Sequence, residues 1–144
     1  LEVAAILHEV GNHISPKSHE LHGLYIIRHS EIFGLSDPDR LLVALITRYH
    51  RKAAPKLSHL HYDKLTQADR IRVAKLSSIL RVADALERTH SQRIKDFTVS
   101  LSEGKATLNL EGILDASAER LALPSKADLF QNLFGLKLVL NENA

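Results

Sequence analysis

The stretch TQADRIRVAKLSSILRVADALERTHSQRIKDFTVSLSEGKATLNL, residues 66–110, decides the fold, because its hydrophobic period changes part-way along. Leu76, Ile79, Leu80, Ala83 and Leu86 keep the spacing of one helix face, and Thr66-x-x-Asp69 is a capping-box-like start. The spacing predicts a long helix ending near His90. After Ile94 the pattern alternates through Phe97, Val99 and Leu101, turns at Glu103-Gly104, and alternates again through Ala106, Leu108 and Leu110. Period two on both sides of a short turn is the signature of a β-hairpin.

Upstream of this stretch the signals are helical. Residues 1–10, LEVAAILHEV, are apolar nearly all round, as a fully surrounded helix would be, and Gly11-Asn12 ends it. The Ser15-Pro16 break precedes a helix over 18–30. A third helix is expected over 36–51, where Ser36-x-x-Asp39 with Pro38 forms its start, and the turn near Pro55 stops it. Downstream, 119–123 reads as a short strand. A helix over 125–134 follows, with Ser125-x-x-Asp128 at its start, and then a closing strand over 136–140. The expected architecture is mainly α: a helical body over 1–92 and a small α/β tail over 93–144, the tail holding an antiparallel hairpin, a helix and a closing strand.

Composition limits the chemistry. The 144 residues are 44% hydrophobic and 25% charged, with a net charge of +2 and nine histidines, and contain no cysteine. A thiolate nucleophile, a disulfide framework and a cysteine-held zinc are therefore excluded, and any metal must be held by His, Asp or Glu. The absence of a long apolar run or signal peptide suggests a soluble, cytoplasmic chain. It opens on Leu1 and contains no methionine, which reads as a piece of something longer.

Several polar residues sit where helices should bury apolar ones. Asp84 continues the Leu76, Leu80 stripe, so its carboxylate needs a partner: Arg81, Arg88, a histidine or a metal. His8 and Glu9 lie about 100° apart around their helix and flank small Ala5. His22 shares a face with Tyr25, Ile26 and His29, and His50 follows Val43 and Ile46. Each alone reads as an ordinary core or helix-end residue. Together, His8, Glu9, His22, His50 and Asp84 form a candidate site for a divalent metal such as Mg, Mn or Zn, with bound water as nucleophile.

A second signal is Arg48-Tyr49-His50-Arg51-Lys52, followed by Lys56. Guanidinium forks and ammonium groups suit phosphate oxygens, although cations at a helix end also complement its dipole. No aromatic platform is interleaved with them, which disfavours base stacking. Glycine-rich phosphate loops, G-x-S-x-G and Walker patterns are absent.

Four segments, taken in order, resemble the helical C-terminal region of the exopolyphosphatase/guanosine pentaphosphate phosphohydrolase (Ppx/GppA) family. They are Ile6-Leu7-His8-Glu9-Val10-Gly11, His19-x-x-His22-x-x-Tyr25-Ile26-Ile27-Arg28, Arg48-Tyr49-His50-Arg51-Lys52-Ala53 and Leu80-Arg81-Val82-Ala83-Asp84-Ala85-Leu86. The resemblance implies an HD-type helical domain, lacking its first helices, with a small α/β tail. It places HD ligand positions on His8, Glu9, His22, His50 and Asp84. Three departures leave that shell incomplete: Glu9 replaces the signature Asp, Gly23 stands where a Ser often follows the histidine, and the first histidine of the set would lie upstream of Leu1.

The resemblance also implies a parent enzyme that uses divalent metal (Mg or Mn) to release phosphate from inorganic polyphosphate or guanosine pentaphosphate. Its catalytic residues would belong to an upstream actin-like ATPase-fold domain, and none to this region. Here the expected roles are polyanion binding by Arg48, Arg51, Lys52 and Lys56, and support of a homodimer. The alternatives are a metal-dependent HD phosphohydrolase acting on a nucleotide, and a non-catalytic dimerisation module.

Overall fold

A computed structural model describes residues 1–143. The chain forms two compact units, Leu1–Leu80 and Arg81–Ala144. The fold is mainly α with a small three-stranded layer, as the change of period predicts.

The first unit contains α1 (Glu2–Leu7), a 3₁₀ turn (Val10–His13), α2 (His19–His29), α3 (Asp37–Arg48) and most of α4 (Gln67–Leu86). Local chemistry sets the starts of α3 and α4. Ser36 Oγ accepts from the Asp39 N–H at 3.3 Å, with Pro38 in the first turn, and Thr66 Oγ1 accepts from the Asp69 N–H at 3.1 Å. Helix α3 is the core element: Leu42 through Thr47 are all buried, packed with Ala4, Ile27, Tyr49, Tyr62, Val73 and Leu80.

Helix α1 is shorter and barer than its composition predicts. Only Ala4 is buried, and Ile6 is 73% exposed. The chain leaves helical geometry at Glu9 (φ −97°, ψ 0°) and tightens into the 3₁₀ turn, so one face of a short helix meets the core and the others stay outside. Helix α2 also departs from expectation. It buries His19, Gly23 and Ile27, whereas Tyr25 is 62% exposed and its ring stacks on His29 at the surface. The reason is backbone approach. A Cβ on Gly11 would stand 1.8 Å from the His19 carbonyl oxygen, and one on Gly23 would meet Thr47 Cγ2 at 3.3 Å. Turning the glycine face inward brings these backbones together and leaves the bulkier face in water.

In the second unit, β1 (Phe97–Ser102) and β2 (Lys105–Glu111) form the expected hairpin, with Gly104 at φ +69° in the turn. Strand β3 (Lys137–Asn143) pairs with β2 in parallel, giving the order β1-β2-β3. A parallel pair needs a crossover, supplied here by α5 (Ser117–Lys126) and α6 (Asp128–Phe134). The expected strand over 119–123 is therefore helix. Glu119, Leu123 and Ala127 are buried at helical spacing while Leu121 is 83% exposed. Ser125 is inside α5 and donates back to the Ala122 carbonyl at 2.9 Å rather than starting a helix. Among the described residues no helix is long and apolar enough to cross a membrane.

Candidate functional site

The first unit gathers imidazoles around one carboxylate oxygen. Glu9 Oε1 lies 3.4 Å from His19 Nε2, 3.8 Å from His50 Nε2 and 3.8 Å from His8 Nε2. The Nε2 atoms of His19 and His50 are 3.2 Å apart. Each element delivers its group through local structure. His8 and Glu9 occupy the bend after α1, His19 opens α2, and His50 follows the end of α3. The Asn12 amide donates to Glu9 Oε2, which turns Oε1 toward the rings. His50 is buried, whereas Glu9 keeps 39% of its side chain exposed, so the cluster opens to water on the Glu9 side.

Backbone carbonyls decide the protons. His50 Nδ1 lies 2.5 Å from the Thr47 oxygen and His8 Nδ1 2.6 Å from that of Ala5. A carbonyl only accepts, so both Nδ1 atoms carry hydrogen and in the neutral rings the Nε2 lone pairs face the cluster, the arrangement usual in metal-ligating histidines. His19 Nδ1 has two neighbours, the Pro16 oxygen at 3.3 Å and Arg51 Nη1 at 3.5 Å. Donation to Pro16 leaves a third lone pair facing the cluster, which suits a metal ion or a water donating from the open Glu9 side. Acceptance from Arg51 instead directs an Nε2–H at His50 and Glu9, which closes the network without one. Glu9, His19 and His50 fit a metal ion by donor type and convergence.

His22 is half-buried further along α2, and its ring is not among these converging atoms. Asp84 belongs to the second unit, where its carboxylate pairs with Lys126. His19 is the member of the cluster that the choice of His22 overlooks. Its signal is the spacing His19, Gly23, Ile27, a stripe hidden because glycine does not count as apolar.

The basic strip divides in two. Arg48 lies with its guanidinium carbon 5.4 Å from the centre of the Tyr49 ring, and Arg51 Nη1 stands 3.7 Å from Glu20 Oε2. Lys52 and Lys56 are exposed and have no carboxylate partner among the described residues. Beside them His59 Nδ1 meets the Tyr49 hydroxyl at 2.9 Å. Burial lowers the His59 pKa, and the charges of Arg48 and Lys56 lower it further. Burial pushes the Tyr49 phenol up to about 12.

The sequence model of the Ppx/GppA phosphatase family's domain III matches residues 1–129. The chain belongs to the Ppx/GppA phosphatase family. The four segments that carry the resemblance, and every member of the imidazole cluster, lie inside the matched region. The chain is also 31% identical over 111 residues to a guanosine-5′-triphosphate,3′-diphosphate pyrophosphatase of Photobacterium profundum. That match covers 76% of this chain and 21% of the relative, so the chain spans about a fifth of that protein's length. In Ppx/GppA terms it is an accessory domain, domain III.

Proposed function

We propose that this domain III is the polyanion-binding part of a phosphohydrolase that releases phosphate from polyphosphate or guanosine pentaphosphate. Lys52 and Lys56 receive the phosphate chain, with Arg51 and Arg48 beside them. Catalysis belongs to an actin-like ATPase-fold domain elsewhere in the full-length protein, with Mg or Mn there, and the cytoplasmic enzyme works as a homodimer. The observation that supports this most is the pair of exposed lysines just beyond the end of α3, uncompensated by any carboxylate among the described residues. Lys126 at the end of α5 pairs with Asp84 and Arg51 with Glu20, whereas these two lysines have no acid among the described residues and suit phosphate.

The test is a titration with long-chain polyphosphate at several salt concentrations. Each cation that contacts phosphate contributes a salt slope of roughly one in log K against log salt, so Lys52→Ala with Lys56→Ala lowers that slope by about two. Equal affinity and slope in the double variant would remove the proposal.

The cluster of Glu9, His19 and His50, with His8 at its edge, supports a second reading as a divalent-cation site of HD type. A metal held there would supply Lewis-acid polarisation of a phosphate oxygen. Titration with Co(II) tests it by the visible absorption of the bound ion and by the rise in melting temperature that binding causes. Both signals should disappear in His50→Ala; their absence in the parent chain rules the reading out.

A further inference from the structure

We infer that the outer edge of β1 is a self-pairing surface, on which the β1 strand of a second copy of this chain docks antiparallel with Val99 opposite Val99. This names the surface for the homodimer proposed above and rests on that part of the reading. Strand β1 ends the sheet, and all six of its residues, FTVSLS, are exposed. Its apolar members share a face. Phe97 stands opposite Leu110, Val99 opposite Leu108 and Leu101 opposite Ala106. The three β2 partners are buried, yet Phe97, Val99 and Leu101 are 44%, 54% and 71% exposed. The apolar face thus continues past its helical cover to an uncovered edge.

Nothing on that edge discourages pairing. The strand contains no charge and no proline, and its register to β2 runs unbroken from Phe97 to Ser102. Charges, prolines and bulges are the devices that normally protect an outer strand. The opposite face is a ladder of amides and hydroxyls: Asn141 donates to Asn109 at 3.0 Å, and Asn109 to Ser100 at 2.6 Å. Among the described residues that ladder also stops at the edge.

Charge and polarity select a second copy as the occupant, and select its register. The segment Lys95-Asp-Phe-Thr-Val-Ser-Leu-Ser-Glu103 is close to self-complementary when reversed. With Val99 on the two-fold axis, Phe97 faces Leu101 of the other copy, Thr98 faces Ser100, and Lys95 faces Glu103, each pair occurring twice. A slip of the two-fold to Ser100 sets Phe97 against Glu103 and Lys95 against Lys105. A slip to Thr98 sets Leu101 against Lys95. A two-fold between residues turns the apolar face of one copy onto the polar face of the other. Only the Val99 register keeps apolar opposite apolar and sets Lys95 against Glu103 at both ends.

Sedimentation of the chain without polyphosphate tests the inference. The parent chain should show a monomer–dimer equilibrium. Val99→Lys, which sets two ammonium groups against each other on the axis, should raise the dissociation constant about tenfold or more. Lys95→Glu alone and Glu103→Lys alone should each weaken the dimer, and the double exchange should restore it; circular dichroism checks that all variants fold. A chain still monomeric at about 1 mM overturns both the homodimer and this surface. A dimer indifferent to Val99→Lys, or a double exchange without rescue, overturns the surface and leaves the homodimer standing.

Discussion

Gly11→Ala should be the most damaging single-methyl addition in the first unit. Its Cβ would lie 1.8 Å from the His19 carbonyl oxygen and 2.6 Å from the Gly23 nitrogen, both backbone atoms. Carbon and oxygen normally meet at roughly 3.3 Å, so the 3₁₀ turn and the first turn of α2 must separate by about 1.5 Å. Rotamer changes cannot supply that, because no side chain is in the way. Overpacking against movable neighbours costs about 1–3 kcal/mol, so a backbone collision belongs at about 3 kcal/mol or above. For a chain of this size the melting temperature should fall by roughly 10 °C.

Gly23→Ala is the control. Its Cβ meets only Thr47 Cγ2 inside 3.4 Å, and alanine regains about 1 kcal/mol of helix propensity, so the net change should stay within about 1 kcal/mol. Thermal melts followed by circular dichroism read both variants. The same displacement separates Glu9 from His19, now 3.4 Å apart, so Co(II) binding should weaken in Gly11→Ala and persist in Gly23→Ala. Equal melting temperatures for the two variants would refute the argument from close backbone approach.

Two further outcomes follow from buried polar groups. Burial raises the Tyr49 pKa to about 12 from an ordinary value near 10, so the neutral phenol is the form the fold favours. Its contribution is complete below pH 10 and is lost as pH climbs through about 12, and Tyr62, also raised by burial, acts in the same direction. The melting temperature should therefore fall more steeply between pH 10 and 12 in the parent chain than in Tyr49→Phe, and parallel curves would contradict this. In the second unit, Arg93 Nη2 meets both oxygens of Glu119 at 3.2 Å, where Glu119 is 1% exposed. Arg93→Ala should cost about 2–3 kcal/mol in a denaturant titration, below the fully buried range because Arg93 is itself 42% exposed. Glu119→Gln, which leaves only the half-exposed Arg93 charge and no buried one, should cost less.

The parts of the fold legible in the sequence are those made by neighbours along the chain. Ser36 and Thr66 cap from within three residues, and the hairpin needs only alternation and Gly104. The segment 119–123 is less legible, because Leu121 and Leu123 alternate as a strand would while facing water and core respectively. What makes them helical is the parallel pairing of β3 with β2, a contact far along the chain that demands a crossover. Residues 1–10 carry enough apolar side chains for a surrounded helix, yet composition cannot show that the chain bends at Glu9.

By itself the sequence determined the helical body, the hairpin, the absence of thiol chemistry and the motifs by which the Ppx/GppA family is read. It also placed His8, Glu9 and His50 near the C-terminal ends of two helices, since the breaks at Gly11-Asn12 and Pro55 follow them. Only the tertiary structure decided which further histidine joins them. The approach of Gly11 to the start of α2 sets the rotation of that helix, and this rotation presents His19 to Glu9 while His22 is left aside. Periodicity counts side chains, whereas that contact is made where two glycines have none.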